Sequence, residues 1–479
     1  MSLAETRPNN ARTHRLVTSM LLLAAAVLTL GAQSAQALPV IPNTVGFGLD
    51  TPAGRGGTVY RVTNLNADGA GSLKACIDGA TARVCIFEVS GTIKLTQDLQ
   101  VRNDKLTIAG QTAPSPGIMI RGAALKIHAS DILVQHLRFR IGDGAVGPSP
   151  ANRDAFKIEG TVDHPVQNIV IDHCSFSWSI DEIASVWGPH DNISFTNNIF
   201  AEPLHDSIHP TDDGKALEPH GFGVLLGSSD TGGRVTMTGN LFAHIVERNP
   251  LSRARQLVFV NNVVYDRSNM DVDLQSEETR VTQNTVVANQ FLKGPSYLRT
   301  THPIYVRTNG PNPVKVGSGV YLSNNYAPET GSGLSAILGF SGTDTTPTLV
   351  ATKLPVWNSG LVVLNTTDST LYNAVLKNAG ARPADRDAVD KRVVADVKNR
   401  TGQVINCVTA DGSARCSKNA GGWPAYAQNS RALTLPANQA TITSNGYSNL
   451  ELWLNQMGQQ VSGTTQAQSP AAPLSMTIN

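Results

Sequence analysis

Short runs of alternating β-formers recur along the middle of the chain, each closing on Asn or another small polar residue. They read IVIDHCSF (169–176), ISFTNNIF (193–200), VTMTGNLF (235–242), LVFVNNVVY (257–265) and VTQNTVVA (281–288), with a fainter copy, VYLSNNYA, at 320–327. Aligning them places Cys174, Asn198, Asn240, Asn262 and Asn284 at one equivalent position, in steps of 24, 42, 22 and 22 residues. LTIAGQTA (106–113) and ILVQHLRF (132–139) fit the same register through Gln111 and Leu137. A repeat near 22–24 residues, carried by strands rather than helices, predicts an all-β fold: a parallel β-helix whose coils stack about 4.8 Å apart. Stacked inward asparagines would satisfy one another in a buried corner. Neither the LxxLxL spacing of leucine-rich repeats nor a WD signature is present. The 42-residue step marks an insertion.

Past residue 330 the period fades. The segment 381–402 reads as a helix, with Val389, Val393, Val394 and Val397 on one face, and from 459 onward a Gln/Ser/Thr/Ala/Pro-rich stretch reads as a loose tail. This divides the chain into residues 1–37, a β-helix over 38–330, a C-terminal extension over 331–458 that packs on it, and a tail over 459–479.

The 479 residues are 41 % hydrophobic and only 16 % charged, which excludes a disordered chain. With 38 Lys+Arg against 37 Asp+Glu, a basic nucleic-acid binder is excluded as well. Residues 1–37 carry Arg7, Arg12 and Arg15, then the apolar run MLLLAAAVLTL, then Ala35-Gln36-Ala37, which is the layout of a cleaved secretory signal. The expected product is an exported monomer without a membrane segment. Export permits disulfides. Cys76 and Cys85 are nine residues apart, as are Cys407 and Cys416, and either pair could close a local loop, whereas Cys174 reads as a buried thiol.

Candidate chemistry lies between residues 140 and 255. Asp154 and Asp181 are 27 residues apart, close to one repeat, so stacking would set them side by side, where they repel unless a cation intervenes. Oxygen ligands without thiols favour a hard ion such as Ca²⁺. Arg248 and Arg253 flank NPLS and suit a carboxylate-rich substrate. The insertion holds His205, His209, Lys215 and His220. His205 and His209 have i, i+4 spacing, but Pro203 and Pro210 flank them and no HExxH is present, which argues against zinc. Asp172 and His173 lie in the corner pattern and read as a buried structural pair.

An ordered series of stretches resembles the pectate lyase family 1 superfamily of polysaccharide lyases, in its bacterial secreted branch. They are GRGGTVYRVTNLNADGAGSL, FEVSGTIKL, LTIAGQTAPSPGI, LRFRIGDG, NIVIDHCSFSWSIDE, DSIHP, EPHGFG and ERNPLSR, and the C-terminal GARPADRDAVDKRVVADV and GYSNLELWLNQM. The resemblance implies a right-handed parallel β-helix that cleaves de-esterified homogalacturonan (polygalacturonate) by Ca²⁺-dependent β-elimination. It implies Asp154 and Asp181 as calcium ligands, Arg248 as the catalytic arginine and Arg253 as a substrate-binding one. Two further ligand positions of the family fall on Ser185 and Asn152 in this sequence. The family's substrate-binding lysine has no match, leaving Lys215, His209 or His220 for that role. Other expectations are a pectin lyase acting on methylated polymer without calcium, a polygalacturonase, for which no aspartate cluster is evident, and a non-catalytic polysaccharide-binding β-helix.

Overall fold

The computed structural model describes residues 38–464 apart from 228–231, 268–269, 278, 298–301, 332 and 342–355. The export signal, and the tail after residue 464, lie outside the described residues. Three parallel sheets share the work of the repeat. The first has ten strands, from Thr58–Val62 to Gly319–Ser323; the second eight, from Gly91–Lys94 to Gln290–Leu292; and the third nine, from Leu99–Val101 to Leu338–Phe340. Each turn of chain visits the first, second and third sheets in that order and pairs with the turns before and after it. This is the right-handed parallel β-helix expected from the sequence, and its hand is the one parallel crossovers take.

The period becomes structure through columns of like residues. Ile132, Ile169, Ile193, Val235 and Leu257 lie in register along the first sheet. In the second sheet, Phe139, Phe176, Phe200 and Phe242 stack with ring centroids 5.0, 5.2 and 5.1 Å apart. Both columns are buried and fill the bore of the helix.

The asparagine ladder is present with one member corrected. The backbone N–H groups of Cys174, Asn198, Asn240, Asn262 and Asn289 each donate to the side-chain oxygen of the next Asn, ending on Asn325. Asn289, not Asn284, follows Asn262. The pairing of Val260 with Val287 fixes this register, and Asn284 instead lies mid-strand opposite Leu257. This coil takes 27 residues from Asn262 to Asn289, so the 22-residue step stops five short.

The coils also continue beyond residue 330, since Leu338–Phe340 still pairs with Ile304–Val306. The helix expected over 381–402 is a 3-10 turn, Pro383–Asp385, followed by an α-helix, Ala388–Asn399, which Asp387 caps by accepting from the Asp390 N–H. Its four valines are buried, as its pattern predicted. Helices Ser369–Asn378 and Asn449–Ser462 were not foreseen, and the second carries helical structure into the stretch read as tail. Leu371, Val375, Val393 and Val397 pack on Ile199, Leu241 and Val263 of the second sheet. Buried Arg138 and Arg140 reach from that sheet to Asp390, at 3.2 and 2.7 Å.

Cys76–Cys85 and Cys407–Cys416 are disulfide-bonded, and Cys174 is a buried free thiol. Among the described residues no helix is long and apolar enough to cross a membrane.

Asn240 accepts from both the backbone and side-chain N–H of Asn198, at 2.9 and 3.1 Å, and donates to Phe195 O and Asn262 Oδ1. Asn240→Ala is therefore expected to lower stability by about 2–4 kcal/mol in urea denaturation, because buried donors lose their acceptor. A loss below about 0.5 kcal/mol would show that the ladder carries little of the fold.

Candidate active site

The chain departs from its period where it crosses from the second sheet to the third, over residues 141–155, 178–181, 202–221 and 244–250. The insertion in the 42-residue step is the third of these. Successive corners stack as the coils do, so residues far apart in sequence meet there.

The first corner ends on Asp154. Arg153 holds this loop from within: its guanidinium donates to the carbonyls of Pro148 (2.9 and 2.6 Å) and Gly144 (2.8 Å). Phe156 pairs with Ala184, an offset of 28, so Asp154 stands opposite Glu182 rather than Asp181. The Glu182 N–H donates to Asp154 Oδ1 at 3.3 Å, and the Ser185 hydroxyl donates to Asp154 Oδ2 at 2.6 Å. Asp181 lies alongside, and one oxygen from each of Asp154, Asp181 and Glu182 falls within 4.8 Å of the others. Sequence reasoning missed Glu182. The adjacent acids of SIDEIASVW were the available signal, and a register taken from FKIE against ASVW would have selected Glu182.

Burial, and then the neighbouring negative charge, push these three acids upward. Asp154 rises to about 7, with Glu182 the main neighbour, and Glu182 rises to about 7 beside Asp181. Asp181 rises to about 6 beside Asp154. Such a group of hard oxygen donors suits a divalent cation, which would relieve the repulsion.

Arg248 enters from the fourth corner with φ +67, a left-handed conformation uncommon for a residue with a side chain. Its guanidinium pairs with Glu182 and lies over the ring of Phe222, 4.0 Å from the centroid. Phe222 in turn meets His220 (centroids 3.8 Å apart), and His220 stacks on His209 at 3.9 Å. His220 Nε2 is 3.0 Å and His209 Nε2 4.0 Å from Asp181 Oδ1. Burial lowers both histidines, His220 to about 4, so they are neutral at neutral pH. His205 is turned away, with Nδ1 2.9 Å from the His220 carbonyl, so the i, i+4 pair weighed for zinc is not a pair in space.

The remaining sequence candidates are dispersed. Arg253 lies further along the third sheet, donating to Gln275 and Glu277 at 2.9 Å each. Lys215 sits on the insertion with its side chain 81 % exposed, paired with Asp213 and away from the acidic group. Asn152 is exposed on the Pro150–Asn152 turn, and no hydrogen bond among the described residues joins its side chain to Asp154. Asp172, at the first-to-second sheet corner, accepts from Thr196 (2.6 Å) and Gln135 (3.0 Å) and lies 2.9 Å from His173, which fits a structural pair. The C-terminal extension also contacts two of these corners. Asn406 accepts from the Asp206 N–H, Arg415 donates to Ser207 O, and the Val408 N–H donates to Asp143.

Function follows from the acids and the arginine gathered on one line of corners, not from the β-helix by itself. No family model matches the chain. It is 30 % identical over 444 residues to a probable pectate lyase C of Aspergillus fumigatus, spanning 89 % of this chain and 95 % of the relative. It is likewise 30 % identical over 441 residues to the Neosartorya fischeri protein of that name, with the same coverages. Among solved structures, the cedar pollen allergen Jun a 1 superposes with a TM-score of 0.48 at 20 % identity, covering 70 % of this chain and 92 % of that one. Pectate lyase II of Xanthomonas campestris does so with a TM-score of 0.45 at 18 % identity, covering 72 % and 100 %. The chain belongs to the pectate lyase family and is a polysaccharide lyase. The sequence relatives named here are fungal, where the motif resemblance had pointed to a bacterial branch.

The raised acids make a prediction without cation. At these groups the folded chain binds protons more tightly than the unfolded chain, so stability falls as pH rises from about 4 toward 7. Thermal unfolding in chelator should therefore show a lower Tm at pH 8 than at pH 5, and Asp154→Asn should narrow the gap. An unchanged gap in that variant would remove Asp154 from the set.

Proposed function

We propose that the protein is a secreted pectate lyase that cleaves de-esterified homogalacturonan by calcium-dependent β-elimination, leaving 4,5-unsaturated oligogalacturonides. The carrying observation is the convergence of Asp154, Asp181 and Glu182 within 4.8 Å, with Arg248 paired to Glu182. These all-oxygen donors fit Ca²⁺ better than a softer metal. Asp154, Asp181 and Glu182 would hold the ion, with Ser185 orienting Asp154, while exposed Asn152 stays outside the set. Bound calcium supplies electron withdrawal from a substrate carboxylate, which acidifies the neighbouring C5–H.

Arg248 acts at C5. The proton passes from C5 to the guanidine nitrogen, the electron pair forms the C4–C5 double bond, and the C4–O bond breaks, with water protonating the leaving oxygen. The step needs a neutral guanidine, so Arg248 must first give up a proton to solvent, and engagement of Glu182 elsewhere removes the partner that would hold that proton in place. Arg253 pairs with a substrate carboxylate. His209 and His220, being neutral, offer hydrogen bonds where the family uses a lysine, and Lys215 remains in solvent. The N-terminal signal directs the monomer out of the cell.

The test is incubation with polygalacturonate and with methylated pectin, with and without chelator, following ultraviolet absorbance of unsaturated products. Chelator-sensitive absorbance on polygalacturonate is expected. Chelator-insensitive absorbance on methylated pectin would instead favour a pectin lyase, and reducing sugar without absorbance a hydrolase. Arg248→Lys is expected to lower kcat by at least about 10³-fold. Trigalacturonate binding, followed by calorimetry, should stay close to wild type, and near-normal turnover would remove Arg248 from the mechanism.

A further inference from the structure

The outer face of the third sheet carries a row of side chains of which only Arg253 has so far been given a role. Val186, Leu226, Ser252, Leu274 and Val306 are in register across five strands. The next residue of each strand continues the ladder. The N–H groups of Gly227, Arg253, Gln275 and Arg307 donate to the carbonyls of Val186, Leu226, Ser252 and Leu274. Trp187, Gly227, Arg253, Gln275 and Arg307 therefore form the adjacent row. Alternation along each strand points this row outward, opposite to the buried Val186 and Leu226. The Arg253–Gln275 hydrogen bond lies along that face.

Trp187 is 41 % exposed there. A Cβ at Gly227 would lie 2.9 Å from Trp187 Cζ3, so the indole occupies the space a side chain at 227 would need. The ring thus rests toward the strand that ends at Gly227, and Arg253 stands in the same row on the strand after that. The absence of a side chain at 227 lets a large apolar surface lie open in the same outward row as Arg253, two strands away. A neutral aromatic face in one row with an arginine matches a sugar acid, since the ring can stack on the C–H face of a pyranose while the arginine takes its carboxylate.

We propose that Trp187, laid over Gly227 in the row that also holds Arg253, is a stacking platform for one uronate ring of the substrate chain. This rests on the polyuronate reading above and adds a subsite to it, away from the reacting bond. A residue that binds ground state and transition state alike raises KM when lost and leaves kcat in place.

Trp187→Ala is accordingly expected to raise KM for polygalacturonate about tenfold with kcat within about twofold. Trp187→Phe should recover most of the loss, and Gly227→Val, which displaces the indole, should resemble Trp187→Ala. Trigalacturonate should change the tryptophan emission of the wild type and much less that of Trp187→Phe. Wild-type KM in Trp187→Ala, or equal emission changes in wild type and Trp187→Phe, would overturn the platform while leaving the lyase reading intact. A wild type that neither cleaves polygalacturonate nor responds to trigalacturonate would overturn the substrate reading and the platform together.

Discussion

The in-register stacking of coils is the constraint on which everything else depends. Parallel pairing fixes each residue against one partner above and one below, and a slip by a single position would turn the buried columns outward. Two ladders hold the register from inside. The phenylalanine column fills the bore, and the asparagine column satisfies the corner between the first and second sheets, where the backbone turns and leaves donors without strand partners. Both are cooperative in the sense that each member is satisfied by its neighbour. The functional groups inherit this geometry. Asp154 faces Glu182 because Phe156 faces Ala184, not because either acid seeks the other.

The site is also held under electrostatic tension. Three carboxyl groups, two buried and Asp181 half-buried, share a corner with an arginine paired to one of them, and that arginine stands on a left-handed backbone position. Such an arrangement is costly in isolation and is compensated by the rigid coils on either side. The stack from His209 through His220 and Phe222 to Arg248 does similar work with uncharged rings. It fixes the guanidinium without adding another negative charge to a crowded corner.

The repeat made much of this legible in the sequence. Alternation and the 22–24-residue step were enough for the fold, and the corner asparagines were correct wherever spacing and pattern agreed. They failed at Asn284, because the coil after Asn262 is longer than the 22-residue step and the strand register selects Asn289. Asp154 and Asp181 were singled out because their spacing is close to one repeat, and Arg248 because it opens the NPLS stretch and matches the family motif; the structure brings all three to one line of corners. Glu182 was passed over because an offset of 27 and one of 28 cannot be told apart before the strands are paired. Lys215 was proposed on residue type alone, and nothing in the sequence shows that its loop carries it into solvent. The helices Ser369–Asn378 and Asn449–Ser462 escaped notice because they bury only part of one face against a surface that exists only after the coils have formed.

The contacts from Asn406, Val408 and Arg415 to the 141–155 and 202–221 loops carry a consequence for the order of assembly. Ribosomal synthesis runs from the N-terminus, so every coil is available before the segment around the Cys407–Cys416 bond emerges. The scaffold can therefore close around its core while the 141–155 and 202–221 loops still lack their C-terminal contacts. Completion of these corners is thus a late acquisition of the growing chain, separable in time from the formation of its core.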